Sequence, residues 1–359
     1  MKKIFYLLIG SFILFGCKKE SSDENIVDRK SILLNIGDII FENYNQFNID
    51  TDSLKSVAQS FKETPNESSF NKLKTYYKNS YNSFQKVQFV NIGPAEELNI
   101  IDALNFYPED TALIMNTLNS ESFDIKAIGN KAKGIQALDY LLFGFRDLSE
   151  EDILTWYINN DKGRQYLVDI CNEIFRLSNA VHKDWEDAYL QNFKDKQGID
   201  RNSSFFVLTN AMLENYEKYC RTAKVGIPLG YNGIFEGLTP RLNLIEGRNA
   251  EISIQLIKSY MEAFEMILSG GDGLGYYEYL DQIGATFNNK PLSEIIKDRI
   301  KTINERVDLL EEPYADNIVN NRQEVKDVFS AMQQLVITLK VDVSSAMGID
   351  IIYQDSDGD

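Results

Sequence analysis

The sequence predicts an all-α fold, with two helical bundles packed together behind a signal peptide and a flexible tether. Three observations carry this. Apolar residues recur at three- and four-residue steps through most of the chain, which places them on one stripe of a helix. Only "GIDIIYQ" near the end reads as a β-like run, and one strand cannot make a sheet. The seven prolines (Pro65, Pro94, Pro108, Pro228, Pro240, Pro291 and Pro313) fall between the periodic segments, where helices are expected to stop.

The elements follow in chain order. Lys2 and Lys3 precede the apolar run "IFYLLIGSFILFG", which is too short to span a bilayer and reads as a secretory signal over residues 1–16. "LFGC" resembles a bacterial lipobox, which makes Cys17 the acylated residue. The charged and small "KKESSDEN" has nothing to bury, so residues 17–28 are expected to be a flexible tether. The first bundle is expected over 29–196. Its seams are Leu33, Ile36, Ile40, Tyr44 and Phe47, then Phe70, Leu73, Tyr77, Tyr81 and Phe84, then Leu167 through Ala188. The turn-rich "KDKQGIDRNSS" marks the boundary. The second bundle is expected over 197–359. Its seams run from Phe205 to Tyr219, Ile257 to Ile267, Leu292 to Leu310, and Val325 to Val343.

Composition narrows the chemistry. A net charge of −17 argues against nucleic acid and anionic lipid head groups as partners. Beyond Cys17 only Cys171 and Cys220 remain, both inside apolar helical patterns, so packed free thiols are expected rather than a disulfide framework. The single histidine, His182, directly follows the seam residue Val181 and is expected at an exposed or half-exposed position. Ser–His and Cys–His nucleophilic arrangements would all depend on it, and no HExxH zinc motif exists. "SGGDGLGYYEYL" lacks the Lys-Ser/Thr of a phosphate loop and follows a helix, so a helix C-terminus and a short helix account for it. "DSDGD" opens like a calcium loop without the bidentate carboxylate that would close it.

One segment, "GIQALDYLLFG" at 134–144, places two polar side chains in an apolar helix. Gln136 and Asp139 are about 60° apart around the axis and share a face. Ile135, Leu138 and Leu142 form a separate stripe that should face the core.

Several segments in order resemble the imelysin family. "GIQALD" followed by "YLLFG" stands where that family carries G-x-H-x-x-E, then "YLL" and a glycine. "FVNIGPAEELNIIDALNFYPED" is similar to its Gly-Pro segment, and "GDGLGYYEYLDQIG" and "ID..YQDSDGD" match its downstream pattern. The resemblance implies a lipid-anchored or periplasmic protein of two helical bundles with a site between them, in a family classed with peptidases and linked to iron regulation. Iron or another metal is the cofactor it implies. Here the histidine is replaced by Gln136 and the glutamate by Asp139. An amide oxygen is a weak ligand for a transition metal, so a polar cleft without metal, or a helix–helix hydrogen-bond pair, is expected instead.

The candidate cleft residues are Gln136, Asp139 and Tyr140 (one turn from Gln136), together with Glu96, Glu97 and Asp102 from the Gly-Pro segment. Arg241, after a glycine-rich loop, is the candidate compensating charge from the second half, because clustered carboxylates need a cation or protons. Glu96 and Glu97 also suit a helix start simply by the sign of the helix dipole.

The leading functional expectation is a non-enzymatic envelope lipoprotein, a binding or accessory component of iron, haem or other nutrient acquisition. A membrane transport protein is its expected partner. A metallopeptidase, as the family's classification implies, and a purely structural surface-interaction lipoprotein are the alternatives. Lys18 after Cys17 implies sorting to the outer membrane, on its periplasmic face or the cell surface. A Cys17→Ser protein is expected to lose palmitate labelling and leave the membrane fraction; wild type and variant fractionating alike as soluble would refute the lipobox.

Overall fold

The computed structural model describes residues 28–232, 235–237 and 239–353. The signal segment, Cys17, the tether before Asp28 and the "DSDGD" terminus lie outside the described residues.

The structure is all-α, and four of its long helices start where a side chain caps them. α1 (Arg29–Glu63) begins at Asp28, whose side chain accepts from the Ser31 N–H at 3.0 Å. It has 35 residues and so runs about 52 Å. α2 (Glu67–Gln88) begins with a reciprocal box between Asn66 and Ser69. α3 (Asp161–Asp184) is capped by Asn160, and α4 (Ser204–Asn215) by Ser203 just past the expected bundle boundary. α5 (Ser253–Ser269), α6 (Leu292–Val307) and α7 (Arg322–Ile337) complete the long set. The seams read from the sequence are buried, from Leu33 through Phe47 in α1 to Val325 through Leu335 in α7, except at two ends: Tyr219 is half-buried, and Ala188 is exposed because the π turn Trp185–Tyr189 shifts the helical register there.

Three features depart from the expectation. Pro94, Pro291 and Pro313 stand at helix starts rather than stops, because a missing N–H costs nothing in the first turn. The tail "GIDII" is not a strand. The ladders among the described residues are two short antiparallel pairs, Tyr231 with Glu236 and Asn232 with Phe235, then Thr286 with Pro291 and Phe287 with Lys290. Finally, the helices widen into π turns at Tyr140–Gly144, Trp185–Tyr189, Tyr216–Gly226 and Thr338–Val343. Such turns rotate the side chains that follow, and are concentrated at functional sites more often than chance allows.

α1 packs against α2 and α3 to form the first half, while α5, α6, α7 and the 216–226 π segment form the second. The halves meet along α2, which contacts α1 on one side and α5 on the other. Phe89, just past α2, packs against Tyr260 and Phe264 of α5 with ring centres 5.4 and 5.6 Å apart. Phe264 in turn stacks on Tyr216 at 5.0 Å. Cys171 and Cys220 are buried free thiols. His182 is half-buried and stacks on Phe41 at 5.4 Å.

Phe264 is fully buried, so Phe264→Ala should cost about 3–5 kcal/mol. Both tryptophans, Trp156 and Trp185, lie in the first half. If the halves unfold together, tryptophan fluorescence and far-UV circular dichroism should shift equally in this variant; a shift in dichroism alone would show that they unfold separately.

Candidate functional site

Two glycines with positive φ bring the Gly-Pro segment and the 134–144 segment into place. Gly93 has φ +51°, and a Cβ there would lie 2.2 Å from the Tyr189 ring. Gly134 has φ +85°, and a Cβ there would lie 2.5 Å from the Leu104 carbonyl oxygen. The second approach sets the short helix Ile135–Asp139 directly beside Asn105. Ile135, Leu138 and Leu142 then face the core as their spacing requires.

Gln136 and Asp139 are each only 2 % exposed. Gln136 donates from Nε2 to the Tyr81 hydroxyl and to Asn105 Oδ1, the latter at 2.8 Å. Both neighbours pass the polarity on to a residue of the second half, Glu246. Its Oε1 accepts from Tyr81 Oη at 2.9 Å, Asn105 Nδ2 at 2.6 Å and Gln85 Nε2 at 3.1 Å. Its Oε2 pairs with the Lys224 ammonium from the π segment. Both charged side chains are buried, at 2 % and 3 % exposure. Gln85 turns its N–H toward Glu246 although its own Oε1 has no protein partner among the described residues. Donors from both halves thus converge on one anion. Burying a charge is tolerable only on such terms, with an opposite charge and the remaining lone pairs satisfied.

Asp139 grips the same loop four residues further on. Its Oδ2 accepts from the Asn249 backbone N–H and side-chain amide, both at 2.9 Å. Its Oδ1 accepts from the Ala250 N–H at 3.0 Å and the Tyr77 hydroxyl at 3.2 Å. Burial pushes the Asp139 carboxyl above its ordinary pKa, opposed by the Asn249 and Ala250 amides. Burial also raises the Tyr77 and Tyr81 phenols, with Asp139 and Glu246 respectively the next causes, so both remain protonated donors.

The other sequence candidates lie outside this network. Tyr140 accepts from the Arg146 N–H at 3.2 Å and packs on Phe145. Its phenol turns to the segment after Gly144, so the i+4 spacing from Gln136 does not bring it into the network. Glu96 and Glu97 are exposed in the four-residue helix Pro94–Glu97. Asp102 accepts from Asn99. Arg241 is exposed, with its backbone N–H bonded to the Pro228 carbonyl. The compensating cation from the second half is Lys224, and the carboxylate that meets the motif is Glu246. Their sequence signals were slight. Glu246 follows Leu244 and Ile245 directly, and Lys224 shares a periodic run with Glu217 and Arg221.

The arrangement does not fit a transition metal. At the motif, Gln136 presents N–H groups, and Asp139 already accepts four hydrogen bonds. Among the described residues, no group of three or more His, Cys, Asp or Glu side chains is placed to hold a metal ion. What it does chemically is hold a loop of one half against the other.

The imelysin family model matches residues 40–340. Comparison with curated proteins finds no match. The fold is similar to the crystal structure of an imelysin-like protein from Psychrobacter arcticum 273-4, at TM-score 0.71 and 14% identity, covering 90% of this chain and 97% of that one. It is equally similar to a candidate iron-regulated protein A precursor from Parabacteroides distasonis ATCC 8503, at TM-score 0.71 and 14% identity, covering 89% and 95% of the two chains.

Glu246→Leu should leave Lys224 buried without a counter-charge and cost about 3–5 kcal/mol. Adding Lys224→Met should restore most of that loss. Urea denaturation of the two variants measures both, and a double variant no better than the single one would show that the stranded lysine is not what destabilises Glu246→Leu.

Proposed function

The chain belongs to the imelysin family, and from that premise we propose that it is a non-enzymatic binding or accessory component of the cell envelope, lipid-anchored through Cys17 and serving iron, haem or other nutrient acquisition. One observation carries the non-enzymatic reading: the motif's carboxylate, Asp139, and the one that meets the motif, Glu246, are engaged by the protein's own donors. Catalysis at this place would need an oxygen free to bind a metal or activate water, and Asp139 and Glu246 have theirs engaged by the loop, the tyrosines, the amides and Lys224. The single histidine is stacked on Phe41, away from these groups.

The nutrient role draws on the family resemblance and on the name of the Parabacteroides neighbour, which ties that protein to iron regulation. The envelope location draws on the signal segment and lipobox. In this reading Gln136 and Asp139 form the latch that keeps the two halves in register, and binding takes place elsewhere on the assembled body.

The test is the Gln136→Ala/Asp139→Ala protein. A latch predicts destabilisation of about 1–3 kcal/mol as the loop N–H groups and Asn105 lose partners. It also predicts that any metal carried by wild-type protein purified from its native envelope, measured by elemental analysis, is carried equally by the variant. Unchanged stability, or bound iron lost in the variant, would overturn the proposal.

A further inference from the structure

We infer that the cleft beside the latch, between α2 and the 143–150 segment, binds the carboxylate of a small amphipathic molecule, with Lys78 as its cation and Phe143 against its apolar part. The inference rests on the reading of this protein as a binding component and names the ligand class.

The cleft has a volume of about 520 Å³, within the range of small-molecule sites. Lys74 and Lys78, one turn apart on α2, line one wall and share the ring of Phe143, with ammonium-to-centroid distances of 5.5 and 5.2 Å. The two lysines are not equivalent. Lys74 is neutralised by Glu150. Lys78 donates to the neutral Ala250 carbonyl at 3.0 Å and forms no ion pair with a carboxylate among the described residues. A half-buried ammonium with three donors, one of them on a carbonyl, is a place where an oxyanion gains charge-assisted hydrogen bonds.

The walls also set the ligand's charge. Glu150 and Lys74 cancel one another, and Glu251 stands on the same cleft against the one charge of Lys78, which favours a single carboxylate over a dianionic phosphate. Asn249 and Ala250 form the floor, and both are held by Asp139. The latch therefore shapes the site without entering it. A half-buried phenylalanine between two ammonium groups offers an apolar face for the rest of the molecule.

Calorimetric titration of the mature protein with benzoate, against its neutral analogue benzamide, tests this. Benzoate should saturate with a Kd on the order of 1 mM, as suits so small a probe, and benzamide should not bind. Lys78→Met should weaken benzoate at least about tenfold, the loss of one charge-assisted contact, while the protein stays folded with only the small fall in melting temperature that the lost Ala250 hydrogen bond brings. A second measurement uses only wild type: acetylation of Lys78, followed by peptide mass spectrometry, should slow in benzoate and not in benzamide. Undiminished binding in Lys78→Met, or no saturation and no protection by about 10 mM benzoate, would overturn the inference. Metal content and lipid labelling bear on the preceding proposal alone, so the two can fail separately.

Discussion

The burial of Glu246 is the constraint around which the two halves are arranged. A carboxylate removed from water costs several kcal/mol unless its charge and lone pairs are met. Here the first half supplies three neutral donors, Tyr81, Gln85 and Asn105, and the second supplies the Lys224 ammonium. The first-half donors come from α2 and from the segment that Gly134 approaches. None can meet Glu246 unless α2 lies against the 245–251 loop. The ion pair is not evidence of high stability in itself, since an apolar replacement of both partners could serve as well. Its consequence is specificity: a displaced loop would strand a buried charge.

The motif substitutions make sense in this setting. An anion at the centre recruits donors, and a glutamine amide offers two N–H groups where a carboxylate would offer none. Gln136 uses them on Tyr81 and Asn105, orienting the two groups that face Glu246. Asp139 plays the complementary part. It accepts from a loop whose backbone N–H groups would otherwise be buried without partners, and its neighbour Gly144 leaves room for Asn249, whose Oδ1 would stand 2.4 Å from any Cβ there. The pair thus reads both ends of one loop, the first end through intermediaries and the second directly.

The π segment at Tyr216–Gly226 extends the same logic into the second half. It carries Lys224 and, on the same run, Glu217 and Arg221, which are buried and paired at 3.2 Å. Glu217 also accepts from Tyr353 of the C-terminal tail at 3.0 Å, while Arg221 reaches Gln333 and lies over the Phe329 ring of α7. Widened turns are costly in backbone hydrogen-bond geometry and are retained where side chains must point in directions an α-helix does not allow. Here one segment aims charges at both the inter-half loop and the tail.

The sequence by itself determined the all-α class, the long helices and their buried faces. It also located the polar pair within a core-facing segment. Those are local properties: the seam from Leu167 to Trp185 is set by residues three or four apart, and the caps at Asp28, Asn66 and Ser203 by the next turn. Tertiary structure decided which charges went inside. Glu246 in a turn and Lys224 in a charged run have the local look of surface residues, while Glu96, Glu97 and Arg241 looked equally suited to the site and remained exposed. Glu246 meets Asn105 across 141 residues and Tyr81 across 165. Whether a charge can be buried depends on donors converging from such distances, and no spacing along the chain records that convergence.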